Sequence, residues 1–224
     1  MDNMAIKVIF FDFGGVLAEE GFAQGMRVIA ARNGREPEAF FEDVRRVIFK
    51  TGYVYGRCDE AAFWRAVRED LDLRVGEPET WRREVLSRFV PRPWMIEIVR
   101  SVRARGFTAA MLSDQVNWLA ELDATHGFFA EFEQVFNSWD HGWTKSEPEF
   151  FHLALAAMGA RPAEALLIDD ARSNIAVARQ AGLSAILYED RAGFARDLAA
   201  CLPDLADVAE LASGDGKSLK VPRN

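Results

Sequence analysis

The stretch Lys7-Val8-Ile9-Phe10-Phe11-Asp12-Phe13-Gly14-Gly15-Val16-Leu17 decides how the rest of the chain is read. Its apolar run is rich in β-branched and aromatic residues and shows no polar alternation. That is the pattern of a short strand buried on both faces, as in a parallel sheet. The run stops at an acid, Asp12, with a Gly-Gly pair two residues further on. Ligands of open α/β sheets bind just beyond the carboxyl ends of the strands. Glycines there let a ligand come close to the backbone. Asp12 is thus a candidate reactive carboxylate, the plainer alternative being an acid that ends a strand in a turn.

Beyond this strand the pattern changes. Residues from about Glu19 to Val90 read as four helices, Phe22 to Arg32, Pro37 to Phe49, Asp59 to Leu71 and Pro78 to Phe89. Their apolar residues recur three or four apart, as in Phe40, Phe41, Val44, Val47 and Ile48. Pro37 and Pro78 suit a first helical turn and Asp59 suits an N-cap. Gly52 to Arg57 reads as a loop carrying exposed aromatics. Strand–helix alternation then resumes. Phe107 to Leu112 runs into Ser113-Asp114, and a helix through Trp118, Leu119 and Leu122 leads to a strand at Gln134 to Phe136. Lys145 sits in the following loop, a helix spans Glu149 to Met158, and Ala165 to Ile168 runs into Asp169-Asp170. A helix from Ile175 to Ala181 and a strand from Ser184 to Tyr188 complete the pattern. This order predicts an α/β protein: a Rossmann-like parallel sheet with helices on both faces and a small helical cap. Residues 1–18 and 91–212 form the core, 19–90 the cap, and 213–224 a disordered tail.

Composition bounds the function. A formal charge of −8 over 224 residues, with no Lys/Arg-rich face, argues against nucleic acid as a partner. Cys58 and Cys201 lack metal-site spacing and read as two packed thiols in a reducing compartment. No apolar stretch reaches membrane-spanning length, and Met1-Asp2-Asn3 opens nothing like a signal peptide, so a cytoplasmic protein away from membranes is expected. Monomer and homodimer are left open.

Three predicted strands end in polar residues at one sheet edge, at Asp12, Ser113-Asp114 and Asp169-Asp170, with Lys145 after a fourth. With Gly142-Trp143-Thr144-Lys145-Ser146-Glu147-Pro148 and Leu167-Ile168-Asp169-Asp170-Ala171-Arg172-Ser173-Asn174, this order resembles the haloacid dehalogenase superfamily over nearly the whole chain to about residue 200. The resemblance implies that Asp12 is a nucleophile forming an aspartyl intermediate. It implies Mg²⁺ held by Asp12, the Gly14 carbonyl and Asp170, with Asp169 a direct ligand or behind one. Ser113, Asp114 and Gly15 fall where the phosphoryl group is bound, Lys145 stabilises Asp12 and the transferring group, and Asn174 orients the last motif. The substrate implied is a small phosphorylated metabolite, a sugar phosphate being one candidate.

Three positions depart from that pattern. Phosphatases of the family usually carry a second aspartate, a general acid and base, where this chain has Gly14; such catalysis is typically worth ~10²–10⁴ in rate. Asp114 stands where asparagine is usual, and Ser146 follows the lysine where proline is usual. Gly14 and Asp114 therefore keep a catalytically weak binding or regulatory protein as an alternative, and a 2-haloacid dehalogenase as a more distant one. Glu19, Glu20, Tyr53, Tyr55 and Arg57 are candidates for substrate handling or proton transfer from the cap side, and Trp139 and Trp143 for lining the cleft. His126, His141 and His152 suggest no metal site.

Overall fold

The computed structural model describes residues 5–208, so the expected tail at 213–224 lies outside the described residues. Five parallel strands form one sheet in the order β3-β2-β1-β4-β5: β1 (Val8–Phe11), β2 (Thr108–Ser113), β3 (Gln134–Asn137), β4 (Ala165–Asp169) and β5 (Ser184–Leu187). β1 is central because every one of its side chains can be buried. Val8 and Phe10 pack beneath Phe150 and Phe151 of α8 (Pro148–Ala157) and Ile175 of α9 (Arg172–Gln180). Ile9 and Phe11 face Ile98 and Val99 of α5 (Pro93–Ala104) and Phe194 and Leu198 of α10 (Arg191–Cys201). The predicted α/β sheet with helices on both faces is the observed one.

Between β1 and α5 the chain forms a helical layer: α1 (Gly21–Arg32), α2 (Pro37–Thr51), α3 (Glu60–Asp70) and α4 (Pro78–Leu86). Each begins where its capping chemistry predicts. Glu20, Glu36 and Asp59 side chains accept N–H groups of the first turns of α1, α2 and α3, and proline opens α2 and α4. The chain leaves and re-enters the sheet region through paired backbone. The Glu19 N–H donates to Val90 O at 2.9 Å and the Arg92 N–H to Leu17 O at 2.8 Å.

Two parts depart from the sequence reading. Gly52 to Arg57 is not a loop of exposed aromatics: Tyr53 and Val54 are buried, in a short 3₁₀ turn between two left-handed glycines, Gly52 and Gly56. Tyr53 stacks on Phe63 with ring centroids 4.6 Å apart and donates its hydroxyl to Asn117 at 2.6 Å. Alternation alone did not mark these aromatics as core because no periodic helix carries them. The predicted helix through Trp118 is α6 (Trp118–His126), and among the described residues two helices form that the pattern did not indicate, α7 (Ser138–His141), too short to show a period, and α10. Of the two cysteines, Cys58 is half-buried but Cys201 is exposed, not packed.

Phe13 joins the parts. Its ring stacks on Phe128 at 4.9 Å and on Phe89, at the end of the helical layer, at 5.6 Å. Truncating a fully buried aromatic removes transfer energy and leaves a cavity. Phe13→Ala is expected to lower unfolding free energy by about 3–5 kcal/mol in urea titrations.

Candidate active site

The predicted residues converge at the carboxyl ends of β1, β2 and β4. Asp12 follows β1, Ser113 ends β2, Asp169 ends β4, and Lys145 comes from the loop after α7. Parallel pairing in register, Phe11 beside both Met111 and Ile168, brings these ends level. The centre is the Lys145 ammonium, 1 % exposed. It lies 2.8 Å from Asp12 Oδ1 and 2.6 Å from Asp169 Oδ2. Burial works against that charge, but the carboxylates of Asp12, Asp169 and Asp114 outweigh it and raise the lysine pKa.

Asp12 is buried, and its Oδ1 also accepts the Phe13 N–H at 2.7 Å. Desolvation raises its pKa well above the ordinary value, with Asp169 and Asp170 pushing the same way and Lys145 opposing them. Asp169 is fully buried. Besides Lys145 it accepts the Ala171 N–H at 2.8 Å and the Asn174 amide at 3.1 and 3.2 Å. Asn174 therefore holds the Asp169 carboxylate from within the last motif. Carboxylate oxygens of Asp12, Asp169 and Asp170 lie within 4.8 Å of one another. An all-oxygen set carrying three negative charges against one buried lysine fits a hard divalent cation such as Mg²⁺. A charge of that sign and size offsets the desolvation, and the repulsion from Asp169 and Asp170, that raise the Asp12 pKa.

One glycine and three further polar side chains hold the loops around the site. Gly15 has φ +81°, and a Cβ placed there would lie 2.0 Å from Asp170 Oδ2, so only glycine leaves that carboxylate in place. Asp114 does not act on its neighbours alone: its Oδ1 accepts the Lys145 backbone N–H at 2.9 Å, tying the lysine loop to the end of β2. The polar pair Asn137-Ser138, ending β3, carries no role in the sequence reading. Asn137 Oδ1 accepts the Gln115 N–H at 3.1 Å, its amide donates to Val116 O at 3.2 Å, and Ser138 Oγ donates to Gln115 O at 3.0 Å. They hold the loop that follows Ser113. A polar pair at a strand end is the same signal that singled out the other three.

Asp12, Gly14, Ser113, Asp114, Lys145 and Asp170 line one cavity of about 430 Å³, closed on the helical side by residues such as Phe22, Phe41, Ile48, Phe49 and Val54. Of the residues suggested for the cap side, Glu20 reaches it; Glu19, Tyr53, Tyr55 and Arg57 do not line it. Glu19 pairs with Arg92 at 2.9 Å, and Arg92 also donates to Val16 O at 3.0 Å. The Arg57 guanidinium lies over the Tyr55 ring at 4.5 Å. Trp139 packs on Tyr53 with centroids 5.2 Å apart, and Trp143 is exposed. His141 packs between Phe136 and Phe150. A second cavity of about 590 Å³ lies in the helical layer around Trp64, Arg68 and Glu77, away from the acid cluster.

The parallel α/β sheet thus gathers a lysine-paired aspartate and an acid cluster at its carboxyl edge. The chain belongs to the haloacid dehalogenase-like hydrolases, whose family model matches residues 6–182. It is 26% identical over 216 residues to rat bifunctional epoxide hydrolase 2, covering 87% of this chain but 38% of that protein. A haloacid dehalogenase family enzyme from Bacteroides thetaiotaomicron, solved with magnesium and inorganic phosphate, shares the fold at a TM-score of 0.65 and 21% identity, covering 83% of this chain and 95% of that one. The L-2-haloacid dehalogenase of Xanthobacter autotrophicus superposes at a TM-score of 0.60 and 21% identity, covering 93% and 87%. The protein is an enzyme, a hydrolase. Among the described residues no helix is long and apolar enough to cross a membrane.

Two outcomes test this geometry. Gly15→Ala drives a methyl group into Asp170 and should weaken Mg²⁺ binding by about 10–100-fold in isothermal titration. Burial raises the Asp114 pKa to about 6 against the pull of Lys145. Its unfolded form loses the proton first, so this group costs stability as pH rises from about 4 to 6. Asp114→Asn keeps the acceptor for Lys145 and removes that cost. It should raise the stability of the metal-free protein by about 2–3 kcal/mol at pH 8, with the gain vanishing below pH 4 in parallel urea titrations.

Proposed function

We propose that the protein is a Mg²⁺-dependent phosphomonoester hydrolase acting on a small phosphorylated metabolite through an aspartyl-phosphate intermediate. The observation that carries this reading is Asp12, held by Lys145 at 2.8 Å and grouped with Asp169 and Asp170 within 4.8 Å, on the floor of a cavity. Asp12 and Asp170, with the Gly14 carbonyl, would hold the metal; Asp169, saturated by Lys145, Ala171 and Asn174, would orient the set. When bound, the metal neutralises the repulsion between the carboxylate and a phosphoryl group.

The chain supplies the rest. The Asp12 carboxylate attacks phosphorus while Lys145 holds it as the anion. Ser113 and Gly15 contribute to the phosphoryl pocket, and Asp114 fixes the height of Lys145 through its backbone N–H. The helical layer over residues 19–90 serves as the cap that covers the leaving group. Its wall offers Phe22, Phe41, Ile48, Phe49 and Val54 and one cation, Arg45. That lining suits a leaving group with an apolar body better than a polyol, which needs many hydrogen-bond partners. The protein of Bacteroides thetaiotaomicron solved with magnesium and phosphate supports the phosphoryl reading. The cluster of three acids disfavours a dehalogenase, whose displacement at carbon has no use for a bound cation. A cytoplasmic location agrees with the absence of a membrane-crossing helix among the described residues.

Phosphate release from a panel of alkyl, aryl and sugar phosphates should require Mg²⁺, stop with EDTA, and fall at least about 10³-fold in Asp12→Asn, the scale of losing a covalent nucleophile. Aryl and alkyl esters should exceed sugar phosphates in kcat/KM. A protein that binds Mg²⁺ and releases phosphate from none of them is the binding or regulatory member instead.

A further inference from the structure

Space is left beside the nucleophile at residue 14, and three side chains surround it. A Cβ built on Gly14 would meet Phe89 Cε1 at 3.6 Å, Glu20 Oε1 at 3.8 Å and Gln115 Nε2 at 3.9 Å, all ordinary van der Waals distances. Glu20 arrives there from the helical side, at the start of α1. Its two oxygens have separate work. Oε2 accepts the Ala23 N–H at 2.5 Å, which caps the helix and fixes the side chain. Oε1 is the oxygen turned toward Gly14 and the cavity that Asp12 lines. Capping needs one oxygen and no burial; it does not explain a carboxyl set among Phe22, Phe89 and the acid cluster.

We propose that Glu20 is the proton donor to the departing oxygen of the substrate, an inference that rests on the phosphomonoesterase reading. In the first half-reaction Asp12 bonds to phosphorus, the bond from phosphorus to the alcohol oxygen breaks, and that oxygen takes the Glu20 proton. The products are free alcohol, phosphorylated Asp12 and the Glu20 carboxylate. In the second, water attacks phosphorus and gives its proton to Glu20, the bond to Asp12 breaks, and inorganic phosphate leaves. Protons and charge balance over the cycle without another reactant. Burial raises the Glu20 pKa to about 7, so the carboxyl can hold a proton at neutral pH and release it. The role falls to a residue six positions beyond Gly14 because the connecting turn folds back across it.

The test compares kcat/KM, which reports only the phosphorylation half-reaction, for 4-nitrophenyl phosphate and a butyl phosphate in the Mg²⁺-loaded protein. The first leaving group departs without a proton and the second needs one. Glu20→Gln retains a capping oxygen for Ala23 and should lose about 100-fold or more on the alkyl ester and at least tenfold less than that on the aryl ester. Adding Gly14→Asp to Glu20→Gln places a carboxyl in the open space at Gly14 and should recover at least tenfold on the alkyl ester. Equal losses on the two esters, or no loss on either, overturn the role of Glu20 and leave the phosphatase reading standing. Failure of the unaltered protein to release phosphate from either ester overturns both.

Discussion

The buried ammonium of Lys145 constrains the whole site. Taking a cation out of water costs several kcal/mol unless counter-charges and hydrogen bonds replace its solvation. Here Asp12 and Asp169 supply them from two adjacent strands, and Asp114 fixes the lysine backbone from a third. Asp12 is thus a structural counter-ion. The balance is incomplete by design of its residues, because Asp170 adds a further negative charge at the rim. A site with that surplus attracts a hard cation, and its electrostatics are those of a metal centre before any ligand arrives.

Around this centre the backbone is arranged so that small displacements matter. Gly15 adopts a left-handed conformation in contact with the Asp170 carboxylate, and Arg92 binds the Gly15 and Val16 carbonyls while pairing with Glu19. The loop after Asp12 is therefore tied to both crossings between the sheet and the helical layer. Phe13, stacked between Phe89 and Phe128, locks the same loop from its apolar side. Motion of the helices over the sheet would be felt at Asp12 itself.

The helical layer brings two kinds of chemistry to the cavity. Its apolar residues set a dry wall opposite the charged floor, which strengthens electrostatic interactions within. Its first residue before α1, Glu20, contributes a carboxyl to a site otherwise built from strand ends. The chain spans 38% of the length of its rat epoxide hydrolase relative, and the match lies within a fold that also carries dehalogenases. Chemistry in this fold is decided by the few groups beside the nucleophile, not by the sheet.

The sequence by itself determined the sheet, its helices other than α7 and α10, and the residues at the carboxyl ends of β1, β2 and β4. Buried strands write continuous apolar runs, and those of β1, β2 and β4 stop at the acid or hydroxyl found beside the cavity. The helical periods of α1 to α4 and their caps are local, so they too were legible. Tertiary structure decided what depends on neighbours distant in sequence. Tyr53 looked exposed because nothing local shows Phe63 stacking on it and Asn117 receiving its hydroxyl. Nothing local in the sequence shows Asp114 accepting the backbone N–H of Lys145, thirty-one residues away. Glu19 and Glu20 are adjacent and alike in sequence, yet one is an ion pair with Arg92 and the other a cavity carboxyl. Successive side chains at a turn diverge, and only the folded path of the chain decides which one pairs with Arg92 and which lines the cavity that Asp12 also lines.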